Sequence, residues 1–359
     1  MNKPYRRTFP GLVREILKDP DRKNLSLIIR EFVYLTFHYR SPATHYLSRY
    51  LYKKGVTDPQ NFLPNRYSSE ITGAFNDSLH KQVVDDKLYF SFFYNREGIR
   101  LPRLLAYNNK KYFTTGNTTR LINSANDFRN FASELFKQNS QYNSVFIKKT
   151  HSSSGGKNIH ILDAECLVSS PEKVDEIYYA LINSAFVFQE PVRQHQDLNV
   201  INPASLNTIR FDSFIDKDGK IEIISGMLKM STNNARVDNL STGGCSVGVD
   251  LSSGVLRRNA YSKMKYRGTE VLTEHPVTRV RFENFKIPFL KEAMEMVLKA
   301  AELMPALRLV GWDVGISVDG PVIIEGNSDY GVTANDCAYG GYMTNVTFRK
   351  VLREMNYIK

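Results

Sequence analysis

Three oxygen-bearing side chains near the C-terminus have the types and spacing of a hard-cation site. Gly311-Trp312-Asp313-Val314-Gly315 sets one carboxylate in an apolar run, and Val322-Ile323-Ile324-Glu325-Gly326-Asn327 ends a second run in Glu-x-Asn. Residues two apart on a strand share a face, so Glu325 and Asn327 point the same way. Oxygen donors without sulfur or imidazole suit Mg²⁺, with Mn²⁺ as a substitute, because such ions keep waters and also take phosphate oxygens. Glu325 stands where a plain core strand would continue with Val or Ile. The register between the runs decides whether Asp313 joins the pair. A three-residue turn Asp319-Gly320-Pro321 sets Asp313 opposite Asn327 and Gly315 opposite Glu325, with Pro321 in the loop, where no ladder donor is needed. A metal site therefore requires an odd-length connection or a bulge between Asp313 and Glu325.

Other clusters could handle phosphate. Phe146-Ile147-Lys148-Lys149-Thr150 runs into Ser152-Ser153-Ser154-Gly155-Gly156-Lys157. Small residues let backbone amides approach phosphate oxygens, and a strand-end lysine adds fixed charge. This is not a Walker loop, since His151 and Asn158 stand where that motif needs Gly and Ser or Thr. A strand-loop-strand cover suits a nucleotide clamped between two sheets; an ordinary hairpin loop would read the same in isolation. Spacing to Gly155-Gly156 favours Lys149 over Lys148 as the phosphate lysine. Arg210, Lys229 and Arg236 lie on and after a hairpin, where cations could neutralise a transferring phosphoryl group and an oxyanion. A solvated face of ion pairs is the plainer alternative. Phe186-Val187-Phe188-Gln189-Glu190-Pro191-Val192 is either a hinge offering backbone to an adenine edge or a buried strand end.

These residues need elements to hold them. Residues 1–85 read mainly as helices, with Leu12, Val13, Ile16, Leu17 and then Leu27, Ile28, Phe32, Leu35 at helical spacing, and loops from Gly55 to Ser69. Asp86 to Thr150 is mixed, with a helix Phe128–Phe136 ahead of the strand Val145–Ile147. Strands then dominate: Ile159–Leu162, Phe186–Gln189, the hairpin Thr208–Ile215 with Ile221–Leu228, and Leu309–Val318 with Val322–Ile324. Pro288–Leu303 is an amphipathic helix. The expected fold class is α+β: a mainly helical basic region 1–85, a lobe 86–190 and a lobe 191–359.

Apolar residues make up 42% of the chain, which excludes a disordered polymer. The formal charge is +11, and all of it falls in residues 1–120, with 21 Lys and Arg against 10 Asp and Glu; residues 121–359 hold 27 of each. Such a field attracts an anionic acceptor or a membrane surface, unless it is only a solvated basic surface. Nucleic acid is not expected, because no finger, RNA-binding sheet motif or basic repeat is present. Met1–Pro10 has no apolar h-region, and Leu25–Tyr39 is broken by Arg30 and Glu31, so the expectation is a cytoplasmic protein without a transmembrane segment. Cys166, Cys245 and Cys337 have neither metal-like nor paired spacing and read as small core hydrophobes.

Taken in order, the four clusters resemble the ATP-grasp superfamily over roughly Asp86 to Lys359. The closer resemblance is to the sugar-transfer-associated ATP-grasp family, through Gln189-Glu190-Pro191, His195, Ser205–Arg210 and His275-Pro276-Val277-Thr278. Arg236-x-x-Asn239-x-x-x-Gly243-Gly244 is also similar to ribosomal-protein and α-L-glutamate ligases. The resemblance implies that ATP lies between two lobes. Lys87, Lys149, Ser152, Ser153, Ser154, Gly155, Gly156, Gln189, Glu190, Val192 and His195 would bind the nucleotide, and Arg210, Lys229, Arg236 and Asn239 would be catalytic. Asp313, Glu325 and Asn327 would hold Mg²⁺. It further implies an ADP- and phosphate-forming carboxylate–amine or carboxylate–thiol ligase that works through an acyl phosphate. The setting would be polysaccharide or glycoconjugate synthesis, with small carboxylate and amine substrates or a sugar-linked acceptor. A phosphotransferase on a hydroxyl acceptor and a non-catalytic nucleotide-binding module are the alternatives. Two departures are visible: Thr150 follows Lys149 where the superfamily usually has Pro, and Gly311 stands where D-alanine ligases place an arginine.

Overall fold

Residues 9–71, 73–151, 159–232, 244–262 and 270–358 are described by the computed structural model. Two antiparallel sheets carry the chain. The first contains β1 (Leu104–Asn109), β2 (Tyr112–Thr115), β3 (Thr118–Leu121), β4 (Ser144–Lys149), β5 (Ile159–Asp163) and β6 (Ala185–Gln189), in the order β3-β2-β1-β6-β4-β5. Helices Ala125–Gln138 and Pro171–Leu181 bury Phe113, Ile147, Phe186 and Phe188 on one face of this sheet. The former helix starts with a capping box between Ser124 and Asp127.

The second sheet contains β7 (Thr208–Ile215), β8 (Ile221–Met230), β9 (Cys245–Asp250), β10 (Val255–Ser262), β11 (Glu270–Leu272), β12 (Leu309–Ser317) and β13 (Gly320–Asn327), in the order β11-β10-β9-β8-β7-β12-β13. One face packs Ile209, Phe211, Val310, Trp312 and Val314 against helix Leu290–Glu302 and against Phe90 and Tyr94 of helix Lys87–Arg96. Trp312 Nε1 donates to Ser213 Oγ at 2.8 Å, which fixes the strand that bears Asp313. The opposite face receives helix Val332–Tyr339 over β8 and β9. Only glycine fits at Gly248, where a Cβ would lie 2.2 Å from the Ala338 carbonyl oxygen.

The N-terminal helices Phe9–Lys18, Leu25–His38, Thr44–Ser48, Asn65–Ile71 and Gln82–Asp85 match the helical expectation, with one difference. The stretch expected as loop through Ser69 becomes a helix after Pro64, because Ile71 and Tyr67 bury against the C-terminal helix Val346–Glu354. These residues brace the second sheet. Buried Asp336 accepts from Arg49 Nη1 at 2.5 Å, from the Leu63 amide at 3.1 Å and from the Tyr342 amide at 2.6 Å. Among the described residues no helix is long and apolar enough to cross a membrane. Cys245 and Cys337 are buried, and burial pushes both thiols up to about 12, as inert core residues require.

Candidate active site

The register of β12 and β13 differs from the expected one, yet it gathers the same residues. The connection is the two-residue turn Val318-Asp319, with Ser317 opposite Gly320 and Pro321 inside the strand opposite Ile316. Ser317 Oγ bonds to the Gly320 carbonyl at 2.8 Å and receives the Asp319 amide at 3.2 Å, while Arg100 Nη1 holds the Asp319 carbonyl at 2.7 Å. Such a turn alone would send Asp313 to the face opposite Glu325. A bulge at Ile324 restores the parity, so Asp313 lies opposite Glu325 and Gly311 opposite Asn327. The expected pairs Asp313–Asn327 and Gly315–Glu325 are thus two residues out of register, while the shared face of Asp313, Glu325 and Asn327 stands.

Cations converge on that face. Arg210 pairs with Asp313 across β7 and β12 and grips it with two bonds, Nε to Oδ1 at 2.7 Å and Nη2 to Oδ2 at 2.8 Å. Lys229 Nζ reaches Asp313 Oδ2 at 2.9 Å. Burial alone would raise the Asp313 carboxyl, but Arg210 and Lys229 overcome it and hold the group well below the usual carboxylate range. Lys87 Nζ sits 3.0 Å from Glu325 Oε2. At Gly311 a Cβ would lie 2.8 Å from Tyr330 Cγ and 3.2 Å from Arg210 Cδ. The bare glycine therefore admits the stem of Arg210, and the arginine arrives from the neighbouring strand.

Lys87 also joins the two sheets. Asp86 caps its helix by accepting from the Leu88 amide at 2.8 Å, and the Lys87 amide donates to the Thr150 carbonyl at 2.8 Å. Thr150, just ahead of the Ser/Gly-rich run, thus abuts the residue that reaches Glu325. The chain then crosses between lobes along 190–195, where His195 donates to the Ile316 carbonyl at 2.9 Å and Val318 to the Arg193 carbonyl at 3.1 Å. Glu190 spends its side chain on this hinge, accepting from the Arg103 amide at 3.0 Å and from Tyr142 Oη. Among the described residues, no hydrogen bond uses the Glu190 carbonyl or the Val192 amide. Gln189 is buried, and among the described residues its Oε1 has no partner. Its strand pairs Gln189 with Phe146 and Val187 with Lys148, so these four occupy the face of the first sheet away from its helices. Lys149 is opposite Phe186, on the helix-covered parity.

Other expected residues separate. His195 caps helix Gln196–Ile201, its Nδ1 accepting from the Asp197 amide at 3.2 Å. Ser152, Ser153, Ser154, Gly155, Gly156, Arg236 and Asn239 lie outside the described residues. Sequence reasoning missed a buried group: Asp212 lies one rung from Arg210 on the same face, opposite Gly311. It accepts from Asn335 Nδ2 at 2.7 Å and from Tyr342 Oη. Burial pushes its carboxyl up to about 7, against the opposing pull of Tyr342 and Arg210. The available signal was the period-2 step from Arg210 inside an otherwise apolar strand.

A divalent ion suits this donor set. Among the described residues no three or more His, Cys, Asp or Glu cluster as a cage, so two carboxylates and an amide remain, the sparse set Mg²⁺ uses beside substrate phosphates. Among the described residues Asn327 Nδ2 is buried without a partner, a donor left for a ligand oxygen, while an ion would take Oδ1.

No curated protein matches the chain in sequence. Solved structures share its outline at low identity. D-alanyl-alanine synthetase A from Vibrio cholerae O1 biovar eltor is 11% identical with a TM-score of 0.44, over 76% of this chain and 65% of that one. VanG D-Ala:D-Ser ligase from Enterococcus faecalis is 14% identical with a TM-score of 0.43, over 79% and 64%. D-alanine–D-alanine ligase from Bacillus anthracis is 18% identical with a TM-score of 0.40, over 78% and 71%. The chain spans less than two thirds of the first two. Residues 66–351 match the family described as sugar-transfer associated ATP-grasp, and the chain belongs to that family.

Proposed function

We propose that this chain is an ATP-dependent ligase that activates a carboxylate as an acyl phosphate and joins it to an amine. The observation that carries the reading is the face of β7, β8, β12 and β13 on which Arg210, Lys229 and Lys87 meet Asp313 and Glu325. Three cations against two carboxylates leave a positive balance beside hard oxygen donors, as a polyphosphate requires. Mg²⁺, held by Asp313, Glu325 and Asn327, would neutralise phosphate charge when bound.

The chain's own groups divide the remaining work. The Glu190 carbonyl and Val192 amide would read the adenine edge. Lys148, on the open face of the first sheet, would bind phosphate, together with the Ser152–Gly156 loop. Arg210 is clamped by Asp313 through Nε and Nη2, which leaves Nη1 to stabilise negative charge developing on a transferred phosphoryl group or a tetrahedral oxyanion. Lys229, Arg236 and Asn239 would add to that field. Closure of one sheet over the other would exclude water from the acyl phosphate. No side-chain nucleophile is required. The family's association with sugar transfer and the basic first third of the chain favour an anionic or sugar-linked substrate.

The test is ADP and phosphate release from Mg-ATP, screened against amino acids, amino sugars and sugar acids, with hydroxylamine present to trap an acyl phosphate. Equal amounts of ADP and free phosphate, together with a hydroxamate, are expected. Phosphate retained on a hydroxyl product, or no thermal stabilisation by Mg-ATP, would sink the ligase reading.

A further inference from the structure

Helix Leu25–His38 is apolar on two sides, and the fold covers one of them. Ile28 and Leu35 are buried in the N-terminal core. Leu25, Ile29, Val33 and Phe37 are exposed, Ile29 by 63% and Phe37 by 78%. At about 100° per residue, each step of four advances roughly 40°, so these four form one continuous stripe. Tyr34 (53% exposed) and Arg30 border it. The only acid of the helix, Glu31, turns inward to Lys23 Nζ at 2.7 Å and Tyr46 Oη at 2.5 Å. The outward arc is therefore aliphatic, aromatic and basic. Preceding it, helix Phe9–Lys18 exposes Val13 and Leu17 beside Arg14 and Lys18. Residues 1–58 hold 12 Lys and Arg against 5 Asp and Glu, so they carry most of the chain's excess charge.

We propose that this arc is a docking surface for an anionic lipid bilayer, with helix Leu25–His38 lying in the plane of the interface. A helix that is apolar on two sides wants cover on both, and one side of this helix faces solvent. Aliphatic and aromatic side chains enter the acyl boundary, while Arg30 and Arg40 extend to lipid phosphates. The helix has 14 residues, about 21 Å at 1.5 Å each, so it is too short to span a core of about 30 Å. A second copy is the poorer occupant, because an isologous contact would set each basic border against itself. An acceptor protein would need a matching acidic apolar groove, whereas an anionic membrane supplies both properties over any area.

Full-length protein is sedimented with vesicles of phosphatidylcholine alone and of phosphatidylcholine with phosphatidylglycerol. The expected result is binding to the anionic vesicles only. The double variant Ile29→Ser/Phe37→Ser should lower that binding at least about tenfold, since two large apolar side chains no longer enter the membrane. Its thermal midpoint should stay at the wild-type value, because both positions are exposed. Arg30→Glu should weaken binding with the stripe intact. Wild-type protein left in the supernatant, equal binding to neutral vesicles, or undiminished binding of the double variant would each overturn the proposal. So would a wild-type dimer, measured by light scattering, that the double variant turns into a monomer; that outcome gives the stripe to a second copy.

Discussion

Asp212→Asn should raise stability above wild type by a margin that opens below pH 5 and widens progressively toward pH 7. Asp212 is fully enclosed on β7, with Asn335 and Tyr342 donating to it, and burial pushes its carboxyl up to about 7. In the unfolded chain the same group titrates near 3.9. Between those values the folded protein keeps a proton that the unfolded chain has released. The unfolded state therefore binds fewer protons, and stability falls as pH rises through the window, then levels off above about 7. Each unit is worth about 1.4 kcal/mol, so the change from pH 5 to pH 8 is on the order of 3 kcal/mol. Asparagine has the same shape and cannot titrate, so the variant should escape this loss. Asn335 Nδ2 and Tyr342 Oη bond different oxygens of Asp212, so the variant's amide oxygen would keep Asn335 while its NH2 donates to Tyr342 Oη. Urea unfolding of both proteins at pH 5, 6, 7 and 8 reads the gap directly. A gap that stays constant across those four conditions would mean that Asp212 is ionised in the fold throughout, with Arg210 outweighing burial.

Lys148→Ala should raise the KM for ATP more than Lys149→Ala, since Lys148 shares the open face of the first sheet with Val187 and Gln189; the reverse order in a steady-state ADP assay would reject that face assignment. Arg49→Ala should destabilise by about 3–5 kcal/mol, because it strands the buried Asp336 carboxylate, and a thermal midpoint near wild type would show that Asp336 takes up a proton at little cost. Gly311→Ala should retain the fold at a cost of about 1–3 kcal/mol while turnover drops, because the new Cβ would sit 2.8 Å from Tyr330 Cγ and 3.2 Å from Arg210 Cδ. Wild-type turnover in that variant would show that the placement of Arg210 does not limit the reaction.

Alternation made Thr208–Ile215 readable as β7, and the apolar run Leu309–Val318 differs from β12 by one residue, while β9, β10 and β11 were not expected. The hairpin turn was misread for a reason that lies outside its own sequence. Pro321 was assigned to the loop because it cannot donate to a ladder. In the fold, β13 is an edge strand, and Ile323, two residues on, points its amide outward to the Arg100 carbonyl at 3.0 Å. Pro321 faces the same outward edge, so its missing N–H breaks no bond to β12. Nothing in Val322-Ile323-Ile324 marks the bulged residue, yet that bulge decides whether Asp313 meets Glu325. The faces of the lysine pair were illegible in the same way. Spacing to a loop counts residues along the chain, whereas the face of Lys148 is set by pairing with Val187, 39 positions away. The structural role of residues 1–85 was out of reach for a similar reason, since Arg49 and Asp336 are 287 positions apart.

Gly311 shows where position-by-position reading of a motif fails. In the resemblance to D-alanine ligases, the glycine marks an arginine lost from the strand of the metal carboxylate. In the fold, its missing side chain leaves the gap through which Arg210 crosses from β7 to grip Asp313, with the Tyr330 ring closing the other side. An arginine at 311 would need the volume that Tyr330 and the Arg210 stem already fill. Gly311 and Arg210 therefore form one unit in which the guanidinium comes from the adjacent strand and ends beside the same carboxylate. In the role proposed for Arg210, what would count is a cation at a point in space; β-sheet pairing lets either of two neighbouring strands supply it, and a motif confined to one strand registers such an exchange as a loss.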